Sequence, residues 1–256
     1  MSKHQMYRNP PIEEAICEFQ FKPSQDWNLT VPGKFHMNLA TEYPGKPQTR
    51  RVVNISLRAH SDQAPNLGYD EGSARVQLPT EDKKRMVSIG RDVLSIHMLR
   101  PYHDTTRGSE IGWLEFRSRI KNALEAYWKV VHPKGVSKVG MRYINKIVVP
   151  EKTARIESYI KCVVPVVTGL PDYPSNFVSR AEYPFDDGVR LVVSQGTAGS
   201  PTDNVGFLLD LDVVWEAPEP VSLPDALEKA EMLRDRERQA FETVITDLAR
   251  EAFDVG

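Results

Sequence analysis

The sequence is poor in the residues that carry most enzyme chemistry. It has two cysteines, Cys17 and Cys162, too few for a disulfide framework. Both lie in apolar runs, EAICEFQF and YIKCVVPVV, so they read as buried free thiols in a reducing compartment. No Cys-x-x-Cys occurs, which excludes a zinc ribbon and a thioredoxin-like centre. The six histidines, His4, His36, His60, His97, His103 and His132, include no His-x-x-x-His pair, and the nearest two, His97 and His103, only flank a loop beside Asp104. There is no G-x-S-x-G elbow, no P-loop and no G-x-G-x-x-G fingerprint. The Gly196-Thr197-Ala198-Gly199-Ser200 stretch lacks the Lys and the following helix that a phosphate cradle needs. No cofactor site and no catalytic set is therefore expected.

Charge and hydropathy exclude further classes. The net charge is −2, so no bulk positive field exists to hold nucleic acid without specificity. No run of 18 apolar residues is present, and none is expected to cross a membrane. The opening MSKHQMYRNPPIEE lacks the apolar stretch of a secretory signal. A cytoplasmic protein without a membrane partner is the expectation. With 256 residues, 40% hydrophobic and 27% charged, the chain has ordinary globular composition and enough length to bury a substantial core.

What is present is periodicity. Ala15, Cys17, Phe19 and Phe21 alternate with Glu14, Glu18 and Gln20, which predicts a half-buried strand over 12–21. Residues 22–50 read as loop with one short helix near Lys34 to Thr41. Val52 to Arg58 alternates again, 60–73 read as polar and turn-rich, and Ala74, Val76 and Leu78 start another strand. Val87 and Ile89 then face Leu94, Ile96 and Met98 across Gly90-Arg91-Asp92, a β-hairpin pattern. The period changes at Trp113, Phe116, Ile120, Leu124, Tyr127 and Val131, the stripe of an amphipathic helix, with Ser109 as its N-cap and Pro133 and Gly135 ending it.

The second half repeats this order. Val139 to Val149 is the clearest strand. RIESYI reads as a helical turn and CVVPVV as a short edge strand. Strands follow at Phe177–Tyr183, Val189–Ser194 and Phe207–Trp215, with a turn at Asp186-Asp187-Gly188. Ser222 caps a closing helix over 223–253, with a bend expected in its RDRERQ segment. The fold class predicted is α+β: antiparallel sheet with two long helices packed on one face. A pseudo-duplicated strands-then-helix unit would explain the shared order, with lobes at 1–135 and 136–256 joined in one unit.

Two motifs carry a family resemblance. Tyr7-Arg8-Asn9-Pro10-Pro11-Ile12-Glu13-Glu14-Ala15, followed by Phe19 and Phe21, and Gly140-Met141-Arg142-Tyr143-Ile144-Asn145-Lys146-Ile147 resemble a sporadically distributed, uncharacterised prokaryotic family of about this length. Leu209-Asp210-Leu211-Asp212, Phe241 and Ile245-Thr246 fit the same pattern. Where members of that family carry a His near the start of the last helix, this chain has Leu233-Arg234-Asp235, so a role resting on that His does not transfer. The resemblance implies no reaction. The family's patchy distribution implies mobile accessory genes, as in defence or toxin–antitoxin modules, and a partner that is a protein encoded nearby or a second copy of the chain.

Three constellations are candidate sites. Asp210 and Asp212 lie on one side of a strand and could hold a divalent ion for hydrolysis, or simply occupy a solvent face. Arg142, Tyr143 and Asn145 form the second: Arg142 could pair with either aspartate, and Asn145 falls among core-facing residues. A buried amide needs partners. Either Asn145 satisfies a neighbouring loop's backbone, the expectation here, or it lines a ligand pocket. The third is basic, Lys83, Lys84 and Arg85 with Arg117 and Lys121, which could meet the phosphates of nucleic acid if the turn and helix come together.

Overall fold

A computed structural model describes residues 7–22, 27–60, 63–102, 109–149, 154–161, 168–170, 175–199 and 204–254, with backbone alone for 51–73 and 109–111. The strands are β1 (Ile12–Phe21), β2 (Gln48–His60), β3 (Gln63–Pro79), β4 (Arg85–Ile89), β5 (Val93–Leu99), β6 (Val136–Val149), β7 (Val178–Pro184), β8 (Val189–Ala198) and β9 (Val205–Val221). The helices are α1 (Val31–Leu39), α2 (Ser109–Val131), α3 (Leu223–Val244) and α4 (Asp247–Asp254), with a 3₁₀ turn at Ile156–Ser158. All nine strands form one antiparallel sheet in the order β2-β3-β4-β5-β1-β6-β9-β8-β7.

That order has a near-symmetry. In each half the first strand sits at the centre, the last strand returns beside it, and those between run outward to the edge: β1, β5, β4, β3, β2 on one side and β6, β9, β8, β7 on the other. The two first strands pair with each other, Ala15 opposite Tyr143 and Cys17 opposite Met141.

The alternation decides which side chains meet the helices. Ala15, Cys17 and Phe19 of β1, Leu94, Ile96 and Met98 of β5, Met141 of β6 and Leu209 and Leu211 of β9 are fully buried in one core cluster. Tyr127 of α2 stacks on Phe21 at 4.2 Å and meets Phe35 of α1 edge-on at 6.4 Å. Such pairs contribute about 0.5–1.5 kcal/mol each beyond their burial. Helix α3 packs on β6 and β9, and it touches α2 where Arg117 pairs with Glu231 and where Arg234 lies over Trp113.

Two sequence expectations are corrected. Residues 63–73, read as turn-rich, continue β3, because their backbone pairs with β2 from His60 opposite Gln63 onward. The closing helix is not one helix over 223–253: α3 runs unbroken through RDRERQ and stops at Ile245, which turns extended. The break is stitched to the 156–161 segment. Ile160 bridges Ile245, the Lys161 N–H donates to the Val244 carbonyl (2.7 Å), and the Thr246 N–H donates to the Tyr159 carbonyl (3.1 Å). Thr246 Oγ1 then accepts from the Ala249 N–H (3.3 Å) to start α4. The Ser222 cap is present, accepting from the Asp225 N–H. The Cys162 segment CVVPVV lies outside the described residues.

Gly135 joins α2 to β6 with φ +144°, and its carbonyl accepts from the Lys22 N–H (3.1 Å). A Cβ there would stand 2.7 Å from the Pro220 side chain and 3.0 Å from the Val221 carbonyl oxygen. Gly135→Ala should therefore destabilise the fold by about 1–3 kcal/mol. Urea unfolding should show a lower midpoint with an unchanged slope; an unaltered midpoint would contradict this account of the turn.

Candidate functional site

Strand β6 turns Tyr143 and Asn145 toward α3. Asn145 is 1% exposed. Its Nδ2 donates to the Leu209 carbonyl on β9 (3.2 Å), with a longer contact to the Tyr143 carbonyl (3.4 Å). These are carbonyls of the sheet, so the expected loop anchor is not what Asn145 provides. It lines a cavity of about 90 Å³ between β6, α3 and the segment before β1. One water needs roughly 10–15 Å³, so the space suits several waters or a small organic group.

Helix α3 supplies the opposite wall. Its buried stripe, Ala226, Ala230 and Leu233, advances by four residues to Glu237, which is 3% exposed. An acid on a core-facing stripe loses its hydration, and charging it becomes costly. Burial pushes the Glu237 carboxyl up to about 8, even though Arg234 and Arg238 act to lower it; Glu242 adds to the rise. Among the described residues no hydrogen bond reaches this carboxyl. Below about pH 8 it is a neutral acid and a hydrogen-bond donor.

The remaining walls are aromatic and basic. Tyr102 and Tyr143 share a hydroxyl contact of 3.1 Å, and burial raises the pKa of both. The Arg234 guanidinium lies 4.9 Å from the Trp113 ring centre and pairs with exposed Asp235 at 3.0 Å. Burial and the neighbouring Arg234 both lower the pKa of Arg238. The N-terminal segment closes the rim. The Tyr7 hydroxyl donates to the Glu242 carboxylate (2.9 Å), whose other partner is Arg250 (3.2 Å), and the Asn9 N–H donates to the Phe253 carbonyl on α4 (2.8 Å). Pro10, Pro11 and Ile12 follow along the same edge.

The other sequence-derived candidates lie elsewhere. Arg142 points to the opposite face of the sheet and grips Asp210 bidentately, at 2.8 and 2.6 Å. Register places Arg142 opposite Asp212 and Ile144 opposite Asp210, so the grip is diagonal. Asp210 is 8% exposed, not solvated, because Arg142 covers it. Burial raises the Asp212 carboxyl, with Arg142 opposing. Both oxygens of Asp210 are thus committed, which removes the pair of open donors that the metal reading required. Among the described residues no group of three or more His, Cys, Asp or Glu side chains could hold a metal ion. His97 on this face is engaged by Glu14 (2.8 Å) and Ser95 (3.1 Å).

The basic set is split by α2. Arg85 reaches Glu115 (2.9 Å) and the Leu99 and Pro101 carbonyls, on the side where Arg119 meets Glu115 and Glu42. Arg117 pairs with Glu231 of α3, and Lys121 with Glu125. Lys83 and Lys84 stand exposed in the β3–β4 turn. Their turn meets the helix through Glu115, not through Arg117 and Lys121.

Of the pocket's polar groups, sequence reasoning named Tyr143 and Asn145 and missed Glu237, Arg234 and Arg238. The signal was the helical phase, since four residues beyond Leu233 falls on Glu237. Among the described residues no helix is long and apolar enough to cross a membrane. The sequence matches no protein-family model and no curated protein.

Glu237 ties stability to pH. The unfolded chain releases this proton near 4.5, the folded chain near 8. The folded state therefore holds the extra proton between these values, and the contribution present below pH 4.5 is lost as pH rises through about 8. Glu237→Gln should raise stability at pH 7 by on the order of 1–3 kcal/mol and flatten its decline between those values. Urea unfolding from pH 5 to 9 measures this; parallel pH profiles for the two proteins would refute the buried neutral acid.

Proposed function

We propose that the chain is a non-catalytic binding protein whose ligand seats in the pocket between β6 and α3. The observation that carries this reading is the pair of buried polar residues that border the cavity: Glu237, whose carboxyl no described residue hydrogen-bonds, and Asn145, whose Nδ2 donates to the Leu209 carbonyl. A concave, largely apolar site with a few convergent polar groups is the usual form of a ligand pocket. Among the described residues the lining includes no Ser, Thr, Cys, His or Lys side chain that Glu237 could activate as a nucleophile. The residues of the family resemblance also converge here: Tyr7, Pro10, Pro11, Ile12, Tyr143 and Asn145 all border the cavity.

That resemblance supports a biological setting, an accessory subunit of a defence or toxin–antitoxin module. Co-expression with the products of the neighbouring genes should give a stoichiometric complex, and neighbours from a metabolic operon would count against it.

The pocket itself is tested by screening a library of small aromatic fragments of mixed charge with amide-resolved NMR. Shifts should concentrate at Tyr102, Tyr143 and 234–242. Asn145→Leu, which fills the cavity, should abolish them while costing no more than about 1 kcal/mol of stability. A library that shifts nothing in this region overturns the binding-pocket reading.

A further inference from the structure

Strand β7 ends the sheet on one side, and among the described residues its outer edge has no partner strand. The register fixes which backbone groups that edge presents. The Phe185 N–H donates to the Val189 carbonyl (2.8 Å), and the Thr197 N–H donates to the Phe177 carbonyl (3.1 Å). The odd-numbered residues of β7 therefore turn their peptide groups inward to β8, and Val178, Arg180 and Glu182 turn theirs outward. The devices that usually keep sheet edges apart are few here. The ladder to β8 has no bulge, the strand has no lysine, and its one proline, Pro184, comes at the end. The side chains are open as well: Val178 is 77% exposed, Tyr183 52% and Phe185 46%. Arg236 stands over the Phe185 ring at 5.1 Å and still leaves it open.

The charges along this edge are self-complementary. Arg180 and Glu182 flank Ala181, and both are outward-facing backbone positions. Two antiparallel copies of β7 can exchange backbone bonds only where outward-facing residues stand opposite each other. With Ala181 opposite Ala181, Arg180 meets Glu182 of the second copy on both sides of the twofold axis. Sliding by one pleat in either direction sets Arg180 against Arg180 or Glu182 against Glu182, and like charges directly opposite are unfavourable. The same register sets Tyr183 opposite Ser179 and Phe185 opposite Phe177, so an exposed ring meets a small side chain or a second ring. Within one chain Arg180 already pairs with Glu182, which also lies near Arg190 at 3.6 Å. Exposed pairs of this kind contribute little to stability. Across the edge the same groups act by selecting the register.

We propose that β7 is a self-association edge, on which a second copy of the chain pairs β7 to β7, antiparallel about Ala181, and continues the sheet from one molecule into the other. Main-chain bonds supply affinity in such strand addition, and the side chains supply specificity. The contact is isologous, so it closes at a dimer. The pocket lies between β6 and α3, so the proposal stands or falls separately from the binding-pocket reading.

Sedimentation velocity on the full chain, from micromolar to millimolar concentration, should show a dimer that dissociates on dilution. Arg180→Glu alone and Glu182→Arg alone each set like charges opposite and should weaken the dimer roughly tenfold or more. An equal mixture of the two variants should recover it as a heterodimer, because each acid then faces an arginine. Ala181→Cys sets two thiols across the axis at a non-hydrogen-bonded pair, about 4.5 Å between Cα atoms and within disulfide reach. Mild oxidation should therefore cross-link Ala181→Cys and leave Ser179→Cys unlinked. A monomer at every concentration overturns the proposal. So does a dimer that either charge reversal leaves intact, that the mixture fails to restore, or that Ala181→Cys does not cross-link.

Discussion

Strand β1 hydrogen-bonds β5 on one side and β6 on the other, and the larger arrangement follows from that double pairing. It joins the two halves of the chain at the centre of the sheet, so neither half keeps a free edge there. It also fixes a common phase. With Ala15 opposite Tyr143 and Cys17 opposite Met141, the core-facing rows of both strands fall in one buried cluster. A slip of one residue would turn Glu14, Glu18 and Arg142 into that layer and expose Phe19 and Met141. The charged pairs on the opposite face, Arg75 with Glu18 and Arg142 with Asp210, add a second penalty against the slip, because each would be buried among apolar side chains.

The helix layer is not uniform. Beneath α2 it is filled with rings, Phe21, Phe35, Tyr43 and Tyr127, and the Tyr127 hydroxyl donates to the Arg91 carbonyl at 3.0 Å. Beneath α3 the same depth holds Asn145, Glu237 and the paired hydroxyls of Tyr102 and Tyr143. The near-symmetry of the strands therefore ends at the helix layer, and the cavity lies on its polar side.

Much of the frame was legible because it depends on local periods. The β1 and β6 alternations, the α2 stripe, the β4–β5 hairpin and the Ser222 cap each follow from residues a few positions apart. What local pattern could not show was pairing at a distance. Residues 63–73 look like a turn until β2 supplies partners for their backbone. The break after Val244 has no glycine or proline to mark it and depends on Ile160 and Tyr159, more than eighty residues earlier. At the site, Asn145 was visible as a polar residue out of phase with its strand. Glu237 was hidden by its neighbours, since Arg-Asp-Arg-Glu-Arg-Gln reads as a solvated run, and its one telling feature is its distance from Leu233. Arg142 and Asp210 could be matched as types, but only the diagonal register shows that the pair leaves no open carboxylate for a metal.

The position of Glu237 is better explained by binding than by folding. A leucine there would continue the stripe of Ala226, Ala230 and Leu233 into the core and avoid the desolvation of a carboxyl. A structural role would call for a partner that offsets that cost, as Arg142 does for Asp210 and as Tyr7 and Arg250 do for Glu242. Glu237 has neighbouring guanidinium groups but no hydrogen bond among the described residues. Local rules tend to be broken in this way at functional positions.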